Sequence, residues 1–181
     1  MPRTSTEAIV IHCTATLAHQ AHTVASIRDM HMVPKSKGGQ GFSDIGYHYL
    51  LCLDGKTYQG RKPENSIGAH VGTQRLPGKS FNLYTLGYSY VGGLRSLDAK
   101  PTDTRNPDQM KEMEAHCRKL LATYPNAVIL GHRDLSPDLD QDGIVEPPEY
   151  MKQCPCFDAG LWAKALGLPG GAYSNGKFVR L

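Results

Sequence analysis

The chain has 181 residues, a length typical of a single domain with a substantial core. Hydrophobic residues make up 40% of it and charged residues 20%, as in an ordinary soluble globular protein. The formal net charge of +3 is compatible with an anionic polymer as substrate but is too small to indicate nucleic-acid binding. No basic run is interleaved with aromatic residues, so we expect no nucleic-acid partner.

The N-terminal segment, residues 1–7, lacks the apolar stretch of a signal peptide. No apolar run approaches the ~20 residues that cross a membrane. We therefore expect a protein that is made in the cytoplasm without a Sec-type address and does not insert into membranes. Five cysteines, an odd number, do not indicate a disulfide framework, and a reduced compartment with at least one metal-bound thiolate fits better. The sequence does not indicate the oligomeric state, and we expect a monomer by default.

The hydrophobic pattern predicts strands and helices in alternation. The first strand is the β-branched run 8–13, whose alternation puts Ile9, Ile11 and Cys13 on one face and His12 on the other. Helix-capping residues and 3.6-residue periodicity predict the helices. Strands are predicted at 8–13, 47–53, 56–58, 86–91 and 127–130, helices at 23–33, 106–124 and 158–166, and loops at 61–81 and 95–107. This order predicts one mixed α/β domain, with helices packed on a central sheet.

Three residues have the chemistry of a catalytic zinc centre. His12 lies near the end of the first strand, His132 follows the strand 127–130, and Cys154 lies in a loop before Pro155. Two imidazoles and one thiolate leave the fourth tetrahedral position open for water. Any one of these residues alone is more often structural, because single histidines and cysteines commonly serve as hydrogen-bonded or core residues. The zinc hypothesis therefore requires that the two strands lie side by side in one sheet.

A series of short motifs occurs in a fixed order along most of the chain. They are IVIHCTAT at 9–16, DIGYHY at 44–49, DG at 54–55, GR at 60–61, GAH at 68–70, VGG at 91–93, GHRD at 131–134 and KQCPCFD at 152–158. In these motifs the chain resembles the zinc-dependent N-acetylmuramoyl-L-alanine amidases, which include phage endolysins of the T7 lysozyme type and the peptidoglycan recognition proteins. The resemblance extends over about residues 8–166. It implies a single catalytic domain over 1–181, with a C-terminal tail at 167–181 to which the sequence assigns no role.

The resemblance also implies the residues of the site. Zinc would be held by His12, His132 and Cys154, and the tyrosine and lysine of phage-type members match Tyr47 and Lys152. Tyr47 would orient the attacking water or the substrate, and Lys152 would stabilise the oxyanion. The implied reaction is hydrolysis of the amide between the lactyl group of N-acetylmuramic acid and L-alanine in bacterial peptidoglycan.

Three further residues lie in or near these motifs. His70 lies in the groove region of the family and is expected to contact the substrate. His48 faces away from Tyr47 on its strand, and we interpret it as structural. Asp134 would hold a ligand histidine or, as an alternative, make a local hydrogen bond in its turn.

Two other functions are compatible with the resemblance. A cytoplasmic amidase that recycles soluble muropeptides would use the same centre as an endolysin that acts on the cell wall. A non-catalytic peptidoglycan receptor is the third alternative, but such members of the family lose the zinc cysteine, whereas Cys154 is present here.

The segment between His132 and Cys154 is longer than the short form of the family and contains a calcium-loop pattern. Residues 138–149, DLDQDGIVEPPE, match D-x-D-x-D-G-x5-E in full. The ligands to Ca²⁺ would be the carboxylates of Asp138, Asp140, Asp142 and Glu149 and the carbonyl of Ile144. Ser136-Pro137 interrupts any entering helix, so a paired EF-hand is not expected, and an acidic solvated loop is the alternative.

Overall fold

A mixed five-stranded sheet forms the centre of the fold. The computed structural model describes residues 2–72, 75–76, 79–98 and 100–181. Its strands are β1 (Ala8–Cys13), β2 (Thr16–Leu17), β3 (Tyr49–Leu51), β4 (Thr57–Gln59), β5 (Arg75–Leu76), β6 (Lys79–Ser80), β7 (Thr85–Tyr90), β8 (Gly93–Leu94), β9 (Val128–Gly131), β10 (Gly171–Ser174) and β11 (Lys177–Arg180). Its α-helices are α1 (Val24–Met32), α2 (Pro107–Thr123) and α3 (Ala159–Ala165). No described helix has the length and apolar character needed to span a membrane.

The strand order β4-β3-β7-β1-β9 brings the two predicted histidine strands together. Strand β1 pairs in parallel with β7 and β9, and β3 also runs parallel to β7, while β4 is an antiparallel edge. Ile11 lies opposite Gly131, so the next residues, His12 and His132, emerge side by side at the same edge of the sheet. The expectation of adjacent strands is confirmed.

The two faces of β1 belong to different parts of the core. Ile9 and Ile11 pack in one cluster with α2 and α3, whose contributions include Met113 and Ala163. Val10 belongs to a second cluster on the opposite face, which the C-terminal strands cover. Because side chains alternate along a strand, His12 faces the same side as Val10, away from α2 and α3. Full burial of each large side chain in these clusters stabilises the sheet by roughly 1.5–3 kcal/mol.

The helix starts follow the predicted capping residues. The Thr23 hydroxyl accepts a hydrogen bond from the backbone N–H of Ser26 at 3.2 Å. The Asn106 side chain accepts one from Gln109 at 2.8 Å, and Asp158 caps α3 in the same way. These side chains satisfy backbone donors that the first turn leaves free. The predicted α/β fold with helices on a central sheet is confirmed.

One local prediction was wrong, and one segment without a prediction forms a hairpin. The second strand was predicted at 47–53, but β3 covers only Tyr49–Leu51, because the backbone turns after Cys52, whose N–H bonds to the Lys56 carbonyl at 3.0 Å. The C-terminal tail, to which no role was assigned, forms the β10–β11 hairpin. Its turn residues Asn175 and Gly176 have φ of 47° and 79°, the left-handed values that favour an Asn-Gly hairpin turn.

Candidate active site

The predicted zinc ligands converge at the C-terminal edge of the parallel strands. One ligand atom each from His12, His132 and Cys154 lies within 4.8 Å of the other two. The Sγ atom of Cys154 is 3.7 Å from Nδ1 of His12, and the rings of the two histidines are 4.6 Å apart. Tetrahedral zinc with ordinary bond lengths separates a sulfur and a nitrogen ligand by about 3.6 Å. The donor set and its spacing therefore fit zinc.

The two imidazoles are in the protonation state that binds a metal. Burial, with a smaller effect of Lys152, lowers the pKa of His132 to about 4. Burial lowers the pKa of His12 well below its usual value, and the neighbouring His132 and His70 add to the shift. Both rings are therefore neutral at neutral pH, and a neutral imidazole nitrogen can donate its lone pair to a metal.

Two backbone hydrogen bonds hold Cys154 in place. The N–H of Cys13, next to His12 on β1, donates to Sγ of Cys154 at 3.3 Å. The N–H of Arg133, next to His132, donates to the Cys154 carbonyl at 2.8 Å. The residues that follow His12 and His132 thus also position the cysteine loop. Burial raises the pKa of the Cys154 thiol, and the N–H donor opposes this shift by favouring the thiolate, the form in which a cysteine binds metal.

His70, predicted to contact the substrate, is buried against a predicted metal ligand and also lines the cavity. Its side chain is only 5% exposed, and its Nδ1 atom lies 3.0 Å from Nε2 of His12. Its Nε2 atom lies 3.4 Å from the carbonyl and 3.3 Å from the hydroxyl of Thr85. The ring therefore lies behind a predicted metal ligand. A Cβ on Gly87 would come within 2.5 Å of this ring, so only glycine leaves the space.

His48 and Asp134 make local structural contacts. Nδ1 of His48 accepts the N–H of Gly87 at 2.9 Å, and its Nε2 donates to the Ser66 carbonyl at 2.9 Å, which confirms the structural interpretation. The Asp134 carboxylate accepts the N–H of Gly131 at 2.7 Å and lies 3.5 Å from Nε of Arg133. These contacts favour the local-turn alternative for Asp134.

Tyr47 and Lys152 line the same cavity as two of the predicted zinc ligands, His132 and Cys154. The Tyr47 ring lies 5.2 Å from the ring of His12 and 5.1 Å from that of His31. Burial raises the pKa of Tyr47 above its usual value, so the phenol keeps its proton and can donate a hydrogen bond. Lys152 is exposed at the rim of this cavity.

Two adjoining cavities of about 260 and 410 Å³ form a groove over the centre. The larger cavity is within the range of about 300–1,000 Å³ that is typical of small-ligand sites, and the smaller one extends it. The residues that line both are Gln40, Phe42, Ala69, Gly72, His132 and Lys152.

The calcium-loop residues come together in part. Carboxylate oxygens of Asp138, Asp140 and Glu149 lie within 4.8 Å of one another. Asp142, predicted as a fourth carboxylate ligand, instead accepts the N–H of Ile144 at 2.8 Å. The predicted set is therefore assembled only for three of its four carboxylates.

Known proteins share both the sequence and the fold. A sequence profile of the N-acetylmuramoyl-L-alanine amidase family matches residues 2–156. The endolysin of Enterobacteria phage K11 is 33% identical over 164 residues, which cover 90% of this chain and 88% of that protein. The endolysin of Escherichia phage T7 is 32% identical over 163 residues, with 88% and 87% covered.

Solved structures share the fold at lower identity. The N-acetylmuramoyl-L-alanine amidase LysC from Clostridium intestinale superposes with a TM-score of 0.61 at 24% identity, covering 90% of this chain and 86% of its own. Drosophila PGRP-LB superposes with a TM-score of 0.59 at 21% identity, covering 86% and 78%. The profile match extends over most of the sequence and includes His12, His132 and Cys154. The chain belongs to the N-acetylmuramoyl-L-alanine amidase family.

Proposed function

We propose that this chain is a zinc-dependent peptidoglycan hydrolase of the phage endolysin type. It cleaves the amide that joins the lactyl group of N-acetylmuramic acid to L-alanine of the stem peptide. The observation that carries the proposal is the convergence of His12, His132 and Cys154 within 4.8 Å at the base of a groove. The similarity to phage endolysins over about nine-tenths of the chain supports the substrate class.

Two residues that line the groove position the reacting groups and stabilise the negative charge that develops during hydrolysis. Zinc, when bound, lowers the pKa of a water towards ~7 and polarises a carbonyl. Tyr47 donates its phenolic proton in a hydrogen bond that orients the scissile amide or the attacking water. Lys152 places its positive charge where the amide oxygen becomes negative, and loss of such a donor typically costs ~10²–10³ in rate.

His70 acts through His12, to which it is hydrogen-bonded. If Nδ1 of His12 binds the metal, its Nε2 is protonated and donates a hydrogen bond to Nδ1 of His70. Nε2 of His70 is then protonated as well and donates a hydrogen bond to the Thr85 carbonyl. Such outer partners keep the ring of a metal ligand oriented and its lone pair available.

Product analysis of digested peptidoglycan tests the reaction. Purified sacculi and soluble muropeptides are incubated with the zinc-loaded protein, and new amino groups of L-alanine and new reducing sugars are measured separately. We expect new L-alanine amino groups without reducing ends, and greater turnover on sacculi. New reducing ends would indicate a glycosidase, and turnover of soluble fragments alone would indicate a recycling amidase.

The same assay tests the dependence on zinc. Dialysis against a chelator is expected to abolish turnover, and stoichiometric zinc is expected to restore it. Full turnover in a preparation shown to be zinc-free would contradict the mechanism. Tight binding to sacculi without any turnover by the zinc-loaded protein would support the receptor alternative.

A further inference from the structure

The acidic loop, residues 138–149, connects the His132 segment to the Lys152 segment. It begins three residues after the 3₁₀ turn at His132–Leu135 and ends in another 3₁₀ turn at Pro147–Glu149. The amidase chemistry proposed above uses none of its side chains. It nevertheless carries a full calcium-loop sequence pattern, and its fold brings three of the patterned carboxylates to within 4.8 Å of one another.

One carboxylate oxygen in this cluster is buried without a partner. Oδ1 of Asp138 is inaccessible to solvent and accepts no hydrogen bond from any described residue. The other oxygen, Oδ2, accepts the N–H of Gly143 at 2.8 Å. A buried carboxylate oxygen without a donor loses its hydration and gains nothing in return, which is costly unless a cation lies beside it. This oxygen is therefore a second indication of a ligand, independent of the sequence pattern.

Glu149 is already turned towards the start of the loop. Its carboxylate accepts the backbone N–H groups of Leu139 and Glu146, the second at 2.9 Å. These backbone donors hold the pKa of Glu149 below its usual value, so the group is ionised at neutral pH. The carboxylate at the twelfth position thus closes the loop onto its first residues, as a cation with many oxygen ligands requires.

The loop rests on the C-terminal hairpin. The Ser174 hydroxyl donates to the carbonyl of Gly143, whose φ of 90° suits glycine. A Cβ on Gly143 would come within 2.8 Å of Asn175. The β10–β11 hairpin therefore supports the sharp turn at the sixth position of the pattern.

From the convergence of Asp138, Asp140 and Glu149, and from the buried, unpartnered Oδ1 of Asp138, we propose that the acidic loop is a Ca²⁺ site. Two monodentate carboxylates and a bidentate Glu149 supply four oxygens, and the Ile144 carbonyl and water complete the coordination shell. With a single loop and no flanking helix pair, the expected Kd is on the order of 10⁻⁴ M. Calcium binding would hold together the two ends of the segment that carries His132 and Lys152.

Calorimetric titration of the zinc-loaded protein with CaCl₂, without substrate, tests the site independently of the amidase activity. We expect one saturable Ca²⁺ per chain and no comparable heat with MgCl₂, because Mg²⁺ requires a tighter octahedral shell. Glu149→Gln and Asp140→Asn should each weaken Ca²⁺ binding by roughly tenfold or more. Asp98→Asn, which makes the same charge change at an exposed position outside the acidic loop, should bind Ca²⁺ like the parent.

Thermal unfolding gives a second readout and controls for folding. Ca²⁺ should raise the melting temperature of the parent and of Asp98→Asn but not that of the two loop variants. Asp140 is exposed, so Asp140→Asn should fold even if Glu149→Gln does not. Absence of saturable binding up to roughly 10⁻² M Ca²⁺, well above the weakest class of such sites, would overturn the proposal. Equal binding by the parent and both loop variants would also overturn it.

Discussion

Nε2 of His12 lies 3.0 Å from Nδ1 of His70, and both side chains are buried. This contact leaves Nδ1 of His12 as the nitrogen that faces Cys154, at 3.7 Å from Sγ. The contact thus selects both the tautomer and the orientation of one predicted zinc ligand. His70, which was expected to contact the substrate, is thus hydrogen-bonded to a predicted metal ligand while it also lines the cavity.

Replacement of His70 is expected to weaken zinc binding. His70→Ala removes the acceptor for the His12 N–H and should lower zinc affinity by ~10–100-fold. His70→Asn places an amide oxygen near the former Nδ1 position and should restore part of the affinity. Competition with a chromogenic chelator measures both variants. A raised KM with unchanged zinc affinity would instead support the substrate-contact hypothesis.

Replacement of Cys154 is expected to abolish activity through loss of the metal. Cys154→Ala removes the only thiolate of the cluster, and the two remaining imidazoles form an incomplete set for catalytic zinc. Metal analysis after gel filtration should show little zinc in this variant. Cys156→Ser is the matched control, because its Sγ lies against Cys13 and outside the cluster, and it should retain zinc. Stoichiometric zinc in Cys154→Ala would exclude this ligand.

Lys152 should affect turnover and leave the metal in place. Lys152→Met removes the charge at the groove rim and is expected to lower kcat by ~10²–10³ with full zinc content. Lys152→Arg should recover part of the rate, since the charge is kept but its geometry changes. Lys111→Met, on the exposed surface of α2, is the control and should have the parental kcat. A kcat within about twofold of the parent in Lys152→Met would contradict the oxyanion role.

The helices and β1 could be predicted because their signals are local. Thr23 and Asn106 precede periodic apolar residues, and both act as caps in the structure. The zinc ligands could be proposed because His12 lies near the end of one short buried strand and His132 directly follows another. The hairpin signal Asn175-Gly176 was also present, but a C-terminal tail of mostly polar residues and glycines gave no strand pattern to flank it.

The contacts behind the metal ligands could not be predicted because they are not local. His70 reaches His12 across 58 residues of sequence, and only because Gly87 on the intervening strand lacks a side chain. The N–H of Cys13 reaches Cys154 across 141 residues. Both depend on the strand order of the sheet, which periodicity does not reveal.

The buried His48 should make the protein less stable in acid. Burial lowers its pKa in the folded state to about 4, against 6.5 for the unperturbed group. Below pH 6.5 this histidine is protonated in the unfolded chain, whereas in the folded protein it stays neutral down to about pH 4. The free energy of unfolding therefore decreases as the pH falls through this window. The shift corresponds to about 3 kcal/mol over the whole window, at ~1.4 kcal/mol per pH unit. Urea unfolding of the zinc-loaded protein between about pH 7 and about pH 4.5 measures the slope.

His48→Asn isolates this contribution from that of the other histidines. The Asn oxygen can accept the Gly87 N–H in place of Nδ1, and it does not titrate. The variant should be less stable than the parent at neutral pH, because the bond to the Ser66 carbonyl is weakened. The difference in free energy of unfolding between the two proteins should narrow on acidification. His12, His70 and His132 titrate in both proteins, whereas only the parent also loses stability through protonation of His48. Parallel stability curves for the two proteins across this pH range would show that His48 is not the group responsible.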